Sequence, residues 1–155
     1  MDKVIIDNLN STVKKEDVLY FLGDFCFGGH INTPEWRKKI NCETIHFIRG
    51  NHDEKIHLYE NYFTSLQNKK TIILKGQEIF MNHYPHKEWP NSIEGSLCLF
   101  GHVHDGLKDS LYHNSIDVGI DSAYRILGEY RPFSFEEILN EIEKHDKNTT
   151  HFRHT

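Results

Sequence analysis

Asn51, His52 and Asp53 stand side by side after Arg49-Gly50. An amide oxygen, an imidazole and a carboxylate so close together suit the holding of a metal ion and the movement of a proton. Asn, His and Asp are also ordinary loop residues, so the triplet gains weight only from its company. That company is Gly23-Asp24, His83 and Gly101-His102-Val103-His104. In extended backbone, residues two apart project to the same side, so His102 and His104 suit one metal site or two adjacent ones. The pooled donors are nitrogen and oxygen with no thiolate, which favours Mn, Fe, Zn, Co or Ni over Ca or Mg. A carboxylate such as Asp24 can bridge two ions, and divalent ions about 3.5–4 Å apart can activate a water for in-line displacement at phosphorus. His52 is placed to protonate a leaving oxygen, and Asp53 to hold that imidazole in one tautomer. Arg49 is placed to grip phosphate oxygens, although a surface or ion-pairing arginine is the commoner use of such a residue.

These residues need elements to bring them together. Val18 to Leu22, Thr44 to Ile48 and Ser96 to Phe100 are apolar runs of strand length, the kind covered on both faces. Thr71 to Leu74 and Glu78 to Met81, joined through Lys75-Gly76-Gln77, read as a hairpin. Each of four strands then delivers one cluster at its carboxyl end: Asp24, Asn51-His52-Asp53, His83, and His102 with His104. In open α/β sheets, sites are built at strand carboxyl ends, and a glycine there lets the backbone turn sharply. A single such cluster would mean little, but four in the same position are hard to obtain by chance. Residues 2–10 read as a helix, as does a run from Thr33 to about Ile40 with Thr33 as N-cap and Pro34 at its first position. Residues 54–62 form a short helix before a loop, and Ser115 to Ile120 form a last strand. Ser134 with Glu137 makes a capping box for a C-terminal helix that frays from Lys144 onward. Gly28-Gly29 reads as a plain loop.

Composition bounds the class. A chain of 155 residues with 37% hydrophobic and 26% charged residues forms one domain with one core, here 1–145 with a polar tail at 146–155. The net charge of −5 gives no general reason to bind nucleic acid or an anionic membrane. No apolar stretch approaches a membrane span, and Met1-Asp2-Lys3-Val4 has no signal-peptide pattern. Cys26, Cys42 and Cys98 are scattered, which suits reduced, buried thiols in a cytoplasmic protein.

In this order, Gly23-Asp24, Gly50-Asn51-His52-Asp53, His83 and Gly101-His102-Val103-His104 resemble the motifs of the calcineurin-like metallophosphoesterase superfamily. Tyr20-Phe21-Leu22-Gly23-Asp24-Phe25, His83-Tyr84-Pro85 and Tyr130-Arg131-Pro132 resemble its small, phage-like single-domain members. The resemblance implies an α/β sandwich of two mixed sheets with helices outside. It implies one or two divalent ions, Mn first, with Asp24 bridging, Asn51, His83 and His102 completing one ion's set and His104 belonging to the other. His52 would serve the leaving group, and the substrate would be a small phosphomonoester or phosphodiester. One departure matters: the family's opening strand, which ends in Asp-x-His, has no counterpart, and residues 2–13 match the helix that follows it. A member lacking that strand should expose apolar surface and unpaired backbone groups. The sequence leaves open a homodimer covering the gap, an alternative pairing, no compensation, or an incomplete gene product. The competing reading is an impaired remnant that binds one ion or none and acts by binding or self-association.

Overall fold

Two short runs form the first layer. Val18–Phe21 (β1) and Thr44–Ile48 (β2) pair in parallel, and Ser65–Gln67 (β3) adds in parallel to β2, giving the order β1-β2-β3. Strand alternation gives this sheet two apolar faces. Leu19, Ile45 and Phe47 pack on one face with Leu9 of the first helix (α1, Asp2–Thr12), Ile40 and Phe63. Tyr20, Leu22 and Ile48 point to the other face, into a core shared with the second sheet. The structure, a computed structural model, describes residues 2–25, 29–104 and 114–152, with side chains described through residue 147.

The second sheet holds Lys69–Leu74 (β4), Gln77–Asn82 (β5), Leu97–Phe100 (β6) and Ser115–Asp117 (β7), in the order β4-β5-β6-β7. The β4–β5 hairpin is antiparallel and the remaining pairs are parallel. Ile79, Met81, Leu97, Leu99 and Ile116 meet the first sheet's inner face, joined by Ile138 and Ile142 of the last helix (α4, Phe135–Phe152). Phe80, Cys98, Phe100 and Trp89 form a smaller cluster on the opposite face. Cys42 and Cys98 are free and buried, and burial pushes the Cys98 thiol up to about 11, so it behaves as a small core residue. Cys26 and Gly28 lie outside the described residues. The fold is the expected α/β arrangement of two sheets flanked by helices, but only the second sheet is mixed. No helix among the described residues is long and apolar enough to cross a membrane.

Several elements differ from the sequence reading. β1 is an edge strand, with Val18 51% exposed, so it is not covered as its apolar run suggested. β3 was expected as loop. It is only three residues long, too short for a period to show. The helix at Thr33–Lys38 (α2) begins after Asn32 rather than Thr33, without a side-chain capping bond from Asn32, and a 3₁₀ turn at His30–Asn32 precedes it. The run at Ile56–Tyr62 is 3₁₀ and breaks at Tyr59. β7 stops at Asp117, and Ile120–Leu127 is a helix (α3) starting at Gly119 and closed by Gly128 in the left-handed region. α4 continues past Lys144 to Phe152, held by Lys144–Glu141 and Lys147–Glu143 ion pairs one turn apart.

The edge strands β1 and β7 share one feature. The edge of β1 and the residues leaving β7 border a cavity of about 290 Å³, walled also by Ile5 and Leu9 of α1 and by Pro132. The apolar surface expected from a missing neighbour of β1 lies here. Arg131 closes one side. Its guanidinium donates to both oxygens of Glu137, at 3.0 and 2.8 Å, while Glu137 and Ser134 exchange the expected capping-box bonds. Hydrogen bonding from Arg131 holds the Glu137 carboxyl at about 2, well below its ordinary range. That stabilisation is present above the ordinary carboxyl range and is lost as pH falls toward about 2. The pair is only partly exposed, 17% and 29%, so its worth is roughly 1–2 kcal/mol after solvent screening. Glu137→Gln should therefore be less stable than the wild type near pH 7 by about that amount, with the gap narrowing below pH ~4. Urea midpoints for both proteins across this pH range measure it.

Candidate metal centre

Parallel pairing decides where the polar residues fall. Within each sheet the strands that carry the motifs point the same way, so their carboxyl ends gather at one rim. Asp24 follows β1, Asn51 follows β2, His83 follows β5 and His102 follows β6. The loops that deliver them are tightly packed. Gly23 has φ +97°, and a Cβ there would fall on the His83 ring. A Cβ on Gly50 would strike the Asp24 carboxylate. Asp24 itself has φ 58° and His102 φ 66°, a left-handed conformation that costs non-glycine residues and is kept where the surroundings impose it.

Asp53 imposes it. Its carboxylate is 3% exposed. It accepts hydrogen bonds from the backbone N–H of Asp24 at 2.6 Å, Phe25 at 3.1 Å and Gly50 at 2.8 Å. This fixes the loop after β1 against the loop after β2. The sequence reading gave this carboxylate to the His52 imidazole, whereas its hydrogen bonds run to the backbone. Asp53 is a positioning residue for Asp24.

Four side-chain atoms then converge. His83 Nε2 lies 2.9 Å from Asn51 Oδ1, 3.2 Å from His102 Nδ1 and 3.4 Å from Asp24 Oδ2, and His102 Nδ1 lies 3.0 Å from Asn51 Oδ1. His83 Nδ1 sits 2.6 Å from the Leu22 carbonyl, which can only accept. The ring proton is therefore on Nδ1, and Nε2 presents a lone pair to an amide oxygen that also presents one. Two acceptors at such a distance repel unless a cation lies between them. Ligand atoms bound at about 2.1 Å to one ion stand about 3.0–3.4 Å apart, the spacing seen here. Asp24, His83 and His102 form a group able to hold a metal ion, and Asn51 supplies a further oxygen. The residues fit a divalent ion, and the mixed donor set suits a transition metal.

The other expected residues are distributed around this centre. His52 is exposed, and its backbone N–H donates to Asp24 Oδ1 at 3.0 Å. Arg49 does not border the cavity, and its Nε is buried with no hydrogen-bond partner among the described residues. His104 does not follow strand alternation with His102, because both have left-handed φ. Its Nδ1 instead meets Asp121 Oδ2 at 3.0 Å, and both residues border the cavity with Asp24, His83 and His102. Sequence reasoning missed Asp117 and Asp121. Asp117 carried the same signal as the other clusters, an acid at a strand's carboxyl end. Asp121 carried none, since it lies just past the expected strand, in a helix that the sequence reading did not assign. Tyr84 was quoted only as part of a motif, yet its ring packs edge-on to His102 with centroids 4.8 Å apart.

The fold and site define an α/β protein of two sheets with residues able to hold a metal ion at the strand ends. The sequence profile of the calcineurin-like phosphoesterase superfamily domain matches residues 3–113, and the chain belongs to that superfamily. It is 28% identical over 147 residues to the uncharacterized protein MJ1445 of Methanocaldococcus jannaschii, a match spanning 93% of this chain and 76% of that one. It also resembles the crystal structure of the protein of unknown function AQ665 from Aquifex aeolicus, with a TM-score of 0.67 and 26% identity over 90% of this chain and 83% of that one.

Removing the clamp should be costly. Asp53→Ala leaves three buried-side amides without their acceptor and should destabilise the fold by roughly 3 kcal/mol, measured by urea denaturation. Mn²⁺ affinity, measured by calorimetry on the folded fraction, should fall with it because Asp24 loses its fixed position.

Proposed function

We propose that this protein is a metal-dependent phosphoesterase that hydrolyses a small phosphomonoester or phosphodiester. The observation that carries the reading is the meeting of Asp24, Asn51, His83 and His102 lone-pair atoms at the strand ends. A divalent ion bound there supplies Lewis acidity toward phosphoryl oxygens and an acidified water. Mn²⁺ is the first choice among Mn, Fe, Zn, Co and Ni because amide and carboxylate oxygens share the site with imidazole.

The chain's own residues do the rest. Asp53 accepts from the Asp24 backbone N–H, and the His52 amide donates to the Asp24 carboxylate, so both ends of Asp24 are held. The Leu22 carbonyl holds His83 in the tautomer that leaves Nε2 available. The His52 imidazole, exposed at the mouth of the centre, gives a proton to the departing oxygen. Arg49 supplies a cation near the phosphate. The net charge of −5 disfavours a long nucleic acid as substrate. A second reading, a scaffold that holds one ion or none and associates with a copy of itself, is favoured by the open edge of β1.

Turnover separates the two. With Mn²⁺, p-nitrophenyl phosphate or its bis-ester should be hydrolysed, and a chelator should stop the reaction. His102→Ala should lower the rate at least ~100-fold with an unchanged circular dichroism spectrum. Wild-type protein that binds Mn²⁺ yet turns over neither ester, and sediments as a dimer, would sink the enzyme reading in favour of the scaffold.

A further inference from the structure

Beside the four converging atoms stands a pair that they do not use. His104 Nδ1 lies 3.0 Å from Asp121 Oδ2. Asp121 falls in the first turn of α3, beyond the residues that the superfamily profile matches. Its place is set by the start of that helix. The Gly119 N–H donates to Asp117 Oδ1 at 2.7 Å, and a Cβ on Gly119 would lie 2.9 Å from that oxygen. The buried Asp117 carboxylate therefore fixes where α3 begins, and α3 carries Asp121 to His104.

Stability does not explain the pair. Its side chains are 66% and 43% exposed, and exposed ion pairs contribute about 0–1 kcal/mol. His104 has φ 47°, a conformation that costs a non-glycine residue roughly 1–3 kcal/mol. The strain equals or exceeds the return, so the arrangement is held for another purpose. The carboxylate accepts from the Nδ1–H, which keeps the ring proton on Nδ1 and the lone pair on Nε2, as in carboxylate–histidine–metal arrangements. His104, Asp121 and Asp24 border one cavity. Asp24 Oδ2 faces His83, while Oδ1 takes the His52 amide and keeps a further acceptor site.

We propose that Asp121 is a positioning residue: it would hold the His104 ring with Nε2 available to the second divalent ion that the family resemblance implies beside Asp24. This rests on the metal centre read above. The chain thereby supplies, from the far end of its fold, an orienting acid for the second position. The first position needs neither His104 nor Asp121.

The test reads metal directly. The full chain is titrated with Mn²⁺ by equilibrium dialysis, with electron paramagnetic resonance following the change from an isolated ion to an exchange-coupled pair. Wild-type protein should take a tight first equivalent and then a second that brings the coupled signal. Asp121→Asn should weaken the second equivalent about 10–100-fold and leave the first unchanged, with Asp121→Glu recovering part of the loss. His104→Ala should remove the second equivalent altogether. A tight first equivalent with no coupled second in the wild type would overturn the inference while leaving the first centre standing. Equal weakening of both equivalents in Asp121→Asn, or no change in either, would also overturn it. Failure of the wild type to bind a first equivalent would overturn the metal centre itself.

Discussion

The Asp53 carboxylate holds the site together. It is buried, and its three backbone donors come from two loops that are far apart in sequence. Without it, the left-handed turn at Asp24 would have no compensation for its conformational cost. With it, the loop after β1 is drawn so near the loop after β2 that no side chain fits at Gly23 or Gly50. The glycines and the buried acid are thus one device. The acid supplies the attraction, and the missing Cβ atoms permit the approach. Asp24 is held with one oxygen facing His83 and the other facing the His52 amide.

The second sheet meets this arrangement from the opposite side. His83 is 2% exposed and is oriented by the Leu22 carbonyl, which belongs to the first sheet's chain. The Gly101 N–H donates in turn to the His83 carbonyl at 3.0 Å, which ties the loop after β6 to the end of β5. The inter-sheet core of Ile48, Met81, Leu99 and their neighbours fixes the separation of the sheets. Across that separation the hydrogen bonds then set the donor atoms to about 3 Å. Apolar packing fixes the coarse distance, and directional bonds fix the fine one.

What was legible in the sequence was the part that rests on local pattern. Apolar runs followed by glycine and a polar cluster marked β1, β2, β5 and β6 and the residues that gather at their ends. Ser134 and Glu137 marked the cap of α4 because both halves of that device are three residues apart. What was hidden depended on contacts between distant segments. Nothing in the sequence around Asp53 distinguishes an acid that orients a neighbouring imidazole from one that binds amides 28 and 29 residues away. The left-handed turns at His102 and His104 cancel the period-two rule that placed the two imidazoles together. The last strand was read on to Ile120 because Ile116, Val118 and Ile120 alternate, whereas the Asp117 carboxylate takes the Gly119 N–H and turns the chain into α3.

The open edge divides the site in two. The ligands of the first position come from strands paired within their sheets: β1 with β2, β5 and β6 with each other. Their geometry is secured by the Asp53 carboxylate, the Leu22 carbonyl and the pairing within each sheet. His104 and Asp121 stand on the cavity side, on a turn and a short helix that follow β6 and β7. There the Asp117–Gly119 bond, the Val118 N–H to the Phe100 carbonyl and the pair itself set their positions. A neighbour for β1 would fill the apolar wall and satisfy its edge, and the residues it would stiffen first are those of the second position. The environment of the β1 edge therefore bears unequally on the two positions. The rigid one depends on buried packing and buried hydrogen bonds, and the other on a carboxylate–imidazole pair that faces solvent.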